Sequence, residues 1–357
     1  MKIAIYSPYL DTAGGGEKYM LTIAECLSNK NEVDLLLDDH LDLIGENTLR
    51  KKILDLHNLD LAKVKFIKAP FGKNSSFFSR LFFLKKYDCL FYNSDGSIFL
   101  STAKKNILHF QLPLEHLNVN GIWGRFKLSS WKQAIFNSDF TREYIQKKFP
   151  IKGFTLYPPV SLNGFRVGKK KRKILSVGFF STSKPKKQEL LIKVFKSLVN
   201  RNKINELSLH LAGGVMDGNE DFLSQLRKEA IGYKIFFYPN IKLKELIDLY
   251  AESLIYWHAT GYDESDPKKF EHFGITTVES MASGCIPIVI NKGGHLEIIK
   301  DKVNGFLWDT PKQLEELTLK VIEDESLQKK ISKQAVIDSK KFSKEEFNKK
   351  ILQLVYD

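Results

Sequence analysis

Cysteine is scarce: Cys26, Cys89 and Cys285 are the only three in 357 residues, far apart and each inside an apolar segment. Such a set makes neither a disulfide framework nor a zinc site, and it suits a reducing cytoplasm. Long apolar runs are also missing. The longest, such as Leu81 to Leu84, fall far short of the roughly 20 residues that cross a bilayer. The N-terminus, MKIAIYSPYL, has one lysine and a short apolar stretch that stops at Ser7 and Pro8. It reads as a buried first strand rather than a signal peptide. Acidic residues are outnumbered, 42 Asp and Glu against 55 Lys and Arg, for a formal charge of +13. That excess suits an acidic partner without choosing among nucleic acid, an anionic membrane face and a phosphorylated substrate. No recognisable RNA or DNA module accompanies it, so no nucleic-acid partner is expected. Transmembrane, secreted and metal-finger classes are not expected either.

What is present is a composition of 43% apolar, 12% aromatic and 27% charged residues, which describes a globular protein whose length favours two domains. Short β-branched runs alternate with amphipathic helical stretches, the signature of an α/β fold with a parallel sheet covered on both faces. The first set of strands is expected at Lys2 to Tyr6, Val33 to Leu37, Val64 to Ile67, Cys89 to Tyr92, Ile107 to Phe110 and Ala134 to Phe136. A helix from about Glu17 carries Met20, Ile23, Ala24 and Leu27 on one face. The prolines of TLYPPV, near Val160, break regular structure. After a basic run, Lys169 to Lys173, which reads as a solvated linker, the rhythm restarts. Strands follow at Ile174 to Val177, Leu207 to Leu211, Lys234 to Phe237, Leu254 to Trp257 and Ile286 to Ile290. The expected division is residues 1–162, residues 163–340, and a last helix over 341–357 whose apolar face (Ile351, Leu352, Val355) docks back on the first domain. Sheets of this kind bind ligands at the carboxyl ends of their strands, so a cleft between the two domains is the expected site.

The most informative stretch runs EHFGITTVESMASGCIPIVINKGGHLEII, from Glu271 to Ile299. Gly274 allows a turn into a helix that starts near Ile275 or Thr276, carries Glu279 and ends around Gly284. Its N-terminus offers unpaired N–H groups and the positive end of a dipole, an anion site. Two carboxylates beside an anion site make sense when the ligand also carries hydroxyls, because a carboxylate accepts hydrogen bonds from a sugar diol. A diphosphate with polyols at its ends is a nucleotide sugar. The bland alternative, two exposed charges interacting with the helix dipole, is the commoner fate of an arbitrary Glu pair.

This string resembles the E-x7-E motif of family 4 (group 1) retaining glycosyltransferases. The similarity extends over MASGCIPIV, the Gly293–Gly294 pair before Glu297, and NGFLW from Asn304. It implies a GT-B architecture of two Rossmann-like domains facing across a cleft. It also implies that Glu271 contacts the donor sugar, Glu279 the ribose, and Phe273, Gly274, Ile275 and Thr276 the sugar and phosphates. TAGGGEKYM is similar to the family's glycine loop, with Gly14, Gly15 and Gly16 near the diphosphate and acceptor. That loop is neither G-x-G-x-x-G nor a P-loop, which argues against a dehydrogenase or an ATPase. HFQLP places His109 where the family has a strand-end histidine near the donor sugar, whereas His116, His210, His258 and His295 read as packed core residues. NSDFT and LYPPV resemble the segments that lead into the interdomain linker.

One departure stands out. The family has VGRF followed by a lysine, two cations that hold the diphosphate. Here Phe179 occupies the arginine position, Lys186 matches the lysine, and Lys184 or Lys187 is a candidate second charge. An ammonium does not copy a guanidinium's bidentate grip.

The resemblance implies a retaining hexosyltransferase working without a metal, cofactor-free apart from its nucleotide-diphosphate sugar (UDP- or GDP-linked). Lys186 and the helix N-terminus would stabilise the leaving diphosphate. No D-x-D string lies in a suitable loop, and Asp263, Glu264 and Asp266 are assigned no metal. The acceptor implied is a glycan or polyprenyl-linked glycan of cell-envelope polysaccharide or glycoconjugate synthesis. SFFSRLFFLKK, spanning Ser76 to Lys86, sets an apolar band beside cations from Phe77 to Lys86. It fits either a core helix or a peripheral helix on an anionic cytoplasmic membrane face. The alternative function is a catalytically weakened GT-B binding or partner subunit, motivated by Phe179.

Overall fold

The computed structural model describes residues 1–12, 14–72, 75–119, 121–183, 185–204 and 206–356. Lys184 lies outside them. The chain divides into two units, Met1–Pro159 with Glu345–Asp357, and Val160–Lys344.

The first unit alternates strand and helix: β1 (Lys2–Tyr6), α1 (Gly15–Leu27), β2 (Glu32–Leu37), α2 (Asp39–Ile44), α3 (Glu46–His57), β3 (Val64–Lys68), α4 (Phe77–Leu84), β4 (Cys89–Asn93), β5 (Lys105–Phe110), α5 (Gly121–Ser129), β6 (Gln133–Phe136), α6 (Asp139–Lys148) and β7 (Gly153–Thr155). Its seven strands run parallel in the order β3-β2-β1-β4-β5-β6-β7. Because successive side chains point to opposite faces, Ile3 and Ile5 enter one core while Ala4 and Tyr6 enter the other. Both faces are therefore apolar, as a parallel sheet requires.

The second unit repeats the scheme with β8 (Lys171–Val177), α7 (Gln188–Asn202), β9 (Ser208–Gly213), α8 (Glu220–Glu229), β10 (Ile235–Pro239), α9 (Leu243–Glu252), β11 (Ser253–His258), α10 (Ile275–Ala282), β12 (Ile286–Ile290), α11 (His295–Ile298), β13 (Phe306–Trp308), α12 (Pro311–Glu323) and α13 (Glu325–Ser339). The order is β10-β9-β8-β11-β12-β13, again parallel. Ile255, Trp257, Ile286, Ile288 and Ile290 pack with Leu191, Phe195 and Leu198 of α7 and Leu314 and Val321 of α12. The last helix, α14 (Lys344–Tyr356), buries Phe347, Ile351, Leu354 and Val355 in the first unit's core. Two Rossmann-like parallel α/β units in tandem are the GT-B fold.

In each sheet the strand order reverses once, between β1 and β4 and between β8 and β11. Helices on either side of that point cover opposite faces, which opens a crevice beyond the carboxyl ends of the two strands. The sites below are read at those ends.

The basic run differs from the expected linker. Lys171 and Lys173 belong to β8 and both bond Glu252 at 2.7 Å. The Lys170 ammonium donates to the carbonyls of Ser283 (2.6 Å) and Tyr250 (3.2 Å). The Ser283 carbonyl at the end of α10 takes its donor from this ammonium, so the side chain turns in rather than out.

Candidate active site

At the carboxyl end of β8 the chain continues through Gly178 and Phe179. Together with Lys186, Glu271, Ile275, Thr276 and the apolar Ile241 and Leu246 they line a cavity of about 340 Å³ in the second unit. Lys186 lies two residues before α7, and its Nζ donates to Glu271 Oε2 at 2.8 Å. Both are half-buried, so the pair sits at the cavity wall with water partly excluded. Burial pushes the Glu271 carboxyl up, but the Lys186 ammonium and the His258 hydrogen bond outweigh it and hold the group well below the usual carboxylate range. Glu271 is ionised and Lys186 is its counter-ion.

The loop that carries Glu271 is fixed by the glycine pair after β12. Gly293 has φ +63°, and a Cβ there would lie 2.3 Å from the Glu271 carbonyl oxygen. The Gly294 amide donates to that same oxygen at 2.8 Å. Only a residue without a side chain allows the two backbones this close. Gly274 then caps α10, and Ile275 and Thr276, its first two residues, reach the cavity wall. The free N–H groups of α10 thus open beside Lys186, and together they suit an anion. Thr276 Oγ1 accepts from Tyr256 OH at 2.7 Å. Phe273 is buried, with its ring 5.5 Å from that of Phe342. Glu279, a turn further along α10, accepts from Tyr250 OH at 3.1 Å.

Phe179 is 52% exposed, and its ring lies against Gly214, where a Cβ would come within 3.1 Å of it. An aromatic face thus borders the cavity where the resemblance places an arginine. Lys187 pairs with Glu264 at 2.7 Å, and Glu264 also binds Lys269 at 3.0 Å. Glu264 of GYDESDP is thus taken by lysines, and Lys187 is tied to that loop rather than to the cavity.

Two functional neighbours escaped the sequence reading. His258, the last residue of β11, places Nε2 3.3 Å from Glu271 Oε2. Its Nδ1 lies 2.9 Å from Nε2 of His295. Both rings are buried, and burial holds both below the usual histidine range. Their only signals were a position at a strand end and a position just after the glycine pair.

In the first unit the glycine loop starts α1. Gly16 abuts the Gln111 side chain so closely that a Cβ would lie 1.6 Å from its Oε1. The Gln111 carbonyl accepts from Asn137 Nδ2 at 2.8 Å, so the three segments TAGGGE, HFQLP and NSDFT meet at the ends of β5 and β6. Gly15 stands 3.2 Å, measured at a Cβ, from Gln111 Nε2. His109 is fully buried on β5 and stacks on Tyr19 with centroids 4.0 Å apart. Neither of its ring nitrogens makes a hydrogen bond of good geometry among the described residues, and burial lowers it to about 3. It is a neutral imidazole at neutral pH.

Comparison with known proteins follows the same boundaries. Residues 163–337 match the model of the family described as glycosyl transferases group 1. An alpha-1,2-mannosyltransferase of Dictyostelium discoideum that uses GDP-Man and Man(3)GlcNAc(2)-PP-Dol is 28% identical over 66% of this chain and 48% of its own length. Its Homo sapiens counterpart is 30% identical over 62% of this chain and 48% of its own. The chain thus spans about half the length of these relatives. Among solved structures, Anabaena HepE in complex with UDP superposes with a TM-score of 0.75, at 18% identity and 99% coverage of both chains. The second unit is thus similar to the group 1 glycosyl transferases over residues 163–337, and the chain as a whole has the GT-B fold.

Proposed function

We propose that this protein is a retaining, metal-independent hexosyltransferase of family 4 type. It moves a sugar from a nucleotide-diphosphate donor to a glycan or polyprenyl-linked glycan in cell-envelope polysaccharide or glycoconjugate synthesis. The observation that carries the reading is the ionised Lys186–Glu271 pair beside the open N-terminus of α10, in a cavity at the strand-order reversal. The leaving diphosphate takes up negative charge as its bond to the anomeric carbon breaks. Lys186 and the α10 amides are placed to receive that charge. Glu271 and Glu279, as carboxylates, accept hydrogen bonds from sugar and ribose hydroxyls. Phe273, Gly274, Ile275 and Thr276 complete the proposed donor contacts within the second unit. His109 is a proposed catalytic residue; its buried ring has no hydrogen bond of good geometry at either nitrogen among the described residues. The mannosyltransferases named above put GDP-mannose first among donors to try and a polyprenyl diphosphate glycan first among acceptors.

A peripheral membrane site fits such an acceptor. Helix α4 buries Leu84 but leaves Phe78 68% and Phe82 77% exposed, with Lys85 and Lys86 following. Ile122, Trp123 and Phe126 of α5 are exposed as well. We assign this basic, aromatic surface to anionic lipid at the cytoplasmic membrane face. None of the described helices is long and apolar enough to cross a membrane. Replacing Phe78 and Phe82 by Ser should abolish co-sedimentation with phosphatidylglycerol vesicles; unchanged sedimentation would remove the assignment.

A thermal-shift screen with UDP, GDP, ADP and their common sugars tests the donor reading, because a ligand stabilises what it binds. Glu279→Ala should abolish the shift, and Glu271→Ala and His109→Ala should lower turnover. Full transfer by Glu271→Ala overturns the assignment. Phe179 at the cavity rim favours a second reading, a binding or partner subunit, which tight nucleotide binding without turnover would establish.

A further inference from the structure

Glu271 has two partners with different freedom. Lys186 reaches it on a flexible four-carbon stem, and an arriving diphosphate competes for that ammonium. His258 is enclosed at the end of β11, 3% exposed, and cannot leave.

The hydrogen-bond order behind Glu271 is determined by chemistry. A carboxylate only accepts, so His258 Nε2 carries the proton that faces it. In a neutral ring Nδ1 is then bare, and it is filled by an N–H from His295 Nε2 at 2.9 Å and approached by the Thr260 amide at 3.3 Å. His295 Nδ1 is in turn the acceptor toward the Thr277 hydroxyl, 3.5 Å away on α10. Both ring donors point the same way, from His295 through His258 to the carboxylate, with the Thr277 hydroxyl 3.5 Å behind them. An apolar pair would fill this volume at no cost in buried polar groups, and it would leave Glu271 with Lys186 alone.

We infer that His258 and His295 are positioning residues that keep Glu271 ionised and aimed when Lys186 turns from it to the donor's diphosphate. The inference rests on the reading of this cavity as the nucleotide-sugar site. The titratable groups that face the carboxylate are Lys186 ahead of α7, His258 and Tyr256 on β11, His272 on its own loop and His295 on α11. Lys186→Met imitates the departed ammonium without any donor.

The test follows the Glu271 carboxyl by ¹³C NMR and the imidazoles by ¹⁵N NMR. Wild type should show both rings as neutral Nε2–H tautomers at pH 7. In Lys186→Met, Glu271 should still titrate in the ordinary carboxylate range or below. In Lys186→Met with His258→Leu its midpoint should rise by about one pH unit or more. His258→Gln, whose amide donates from nearly the Nε2 position, should undo most of that rise. His295→Leu, which leaves His258 but strips the N–H that sets its tautomer, should shift Glu271 the same way by a smaller step. With a working donor such as GDP-mannose, the acid limb of kcat, which reports the donor-bound enzyme, should move up by the same interval in His258→Leu, giving a loss that nears tenfold only below about pH 4.5 and fades by pH 7. An Nδ1–H tautomer at His258, or a Glu271 midpoint indifferent to His258→Leu in the Lys186→Met background, overturns the inference. Failure of every nucleotide to bind would overturn the donor reading instead, and the spectra of the free protein would still decide the positioning role.

Discussion

Replacing Gly293 by Ala probes the loop geometry on which the site depends. The residue sits at φ +63°, and its Cβ would lie 2.3 Å from the Glu271 carbonyl oxygen, closer than real Cβ atoms come to any heavy atom. The left-handed backbone costs an alanine roughly 1 kcal/mol, and the overlap with a backbone atom adds about 1–3 kcal/mol of overpacking strain. The expected loss is therefore on the order of 2–4 kcal/mol. At roughly 2–4 °C per kcal/mol for a domain of this size, the melting point of the second unit should fall by about 10 °C. Gly232→Ala is the control: φ is +84° there and nothing lies within 4 Å of the added Cβ, so only the backbone term applies. Calorimetry on the two variants separates close approach from conformational strain. The displaced Glu271 should also weaken transfer by about a hundredfold, as an ångström of misplacement does. Equal melting points for the two variants, with donor turnover intact in Gly293→Ala, would refute the argument that this glycine exists to seat Glu271.

His109→Phe removes two buried nitrogens that lack well-formed bonds while keeping the stack on Tyr19. It should stabilise the first unit by about 1–3 kcal/mol at pH 7 and lower turnover. Because burial lowers the native histidine to about 3, below its unfolded value of 6.5, wild type should also lose stability as pH falls from 6.5 toward 3. The variant should lack that slope in a pH series of denaturant melts. Glu252, lowered to about 2 by hydrogen bonds from Lys171 and Lys173, gives the carboxylate case. Its contribution is present above pH 4.5 and disappears toward pH 2. Since the carboxylate is 38% exposed, Glu252→Gln should cost no more than about 1 kcal/mol at pH 7 and nothing at pH 2. Lys170→Met keeps the apolar stem but leaves the Ser283 carbonyl without its side-chain donor, while the Tyr250 carbonyl keeps those from Cys285 Sγ and the Ser253 amide, and denaturant melts should show a loss of about 1–3 kcal/mol.

Much of the fold was legible because parallel strands buried on both faces are short unbroken apolar runs. All eleven expected strands are present, several longer by a residue or two. The two further strands, β7 and β13, are three residues each, too short for a period to register. The basic run 169–173 misled because charge alone suggests solvent. What turned Lys170 inward was the Ser283 carbonyl at the end of α10, which lies 113 residues further along.

At the site, local sequence sufficed for whatever lies within one turn or loop. Gly274 before Ile275, the end of α10 near Gly284 and the position of Lys186 just ahead of α7 all follow from spacing and capping rules. Tertiary structure alone decided the pairings: Lys186 with Glu271 across 85 residues, His258 with His295 across 37, and Gly16 with Gln111. A sequence specifies which residues want a helix, a strand or a turn, since those preferences act over a few bonds. Which carboxylate meets which ammonium depends on the order of strands in a sheet, and that order exists only once the whole sheet has closed on its core.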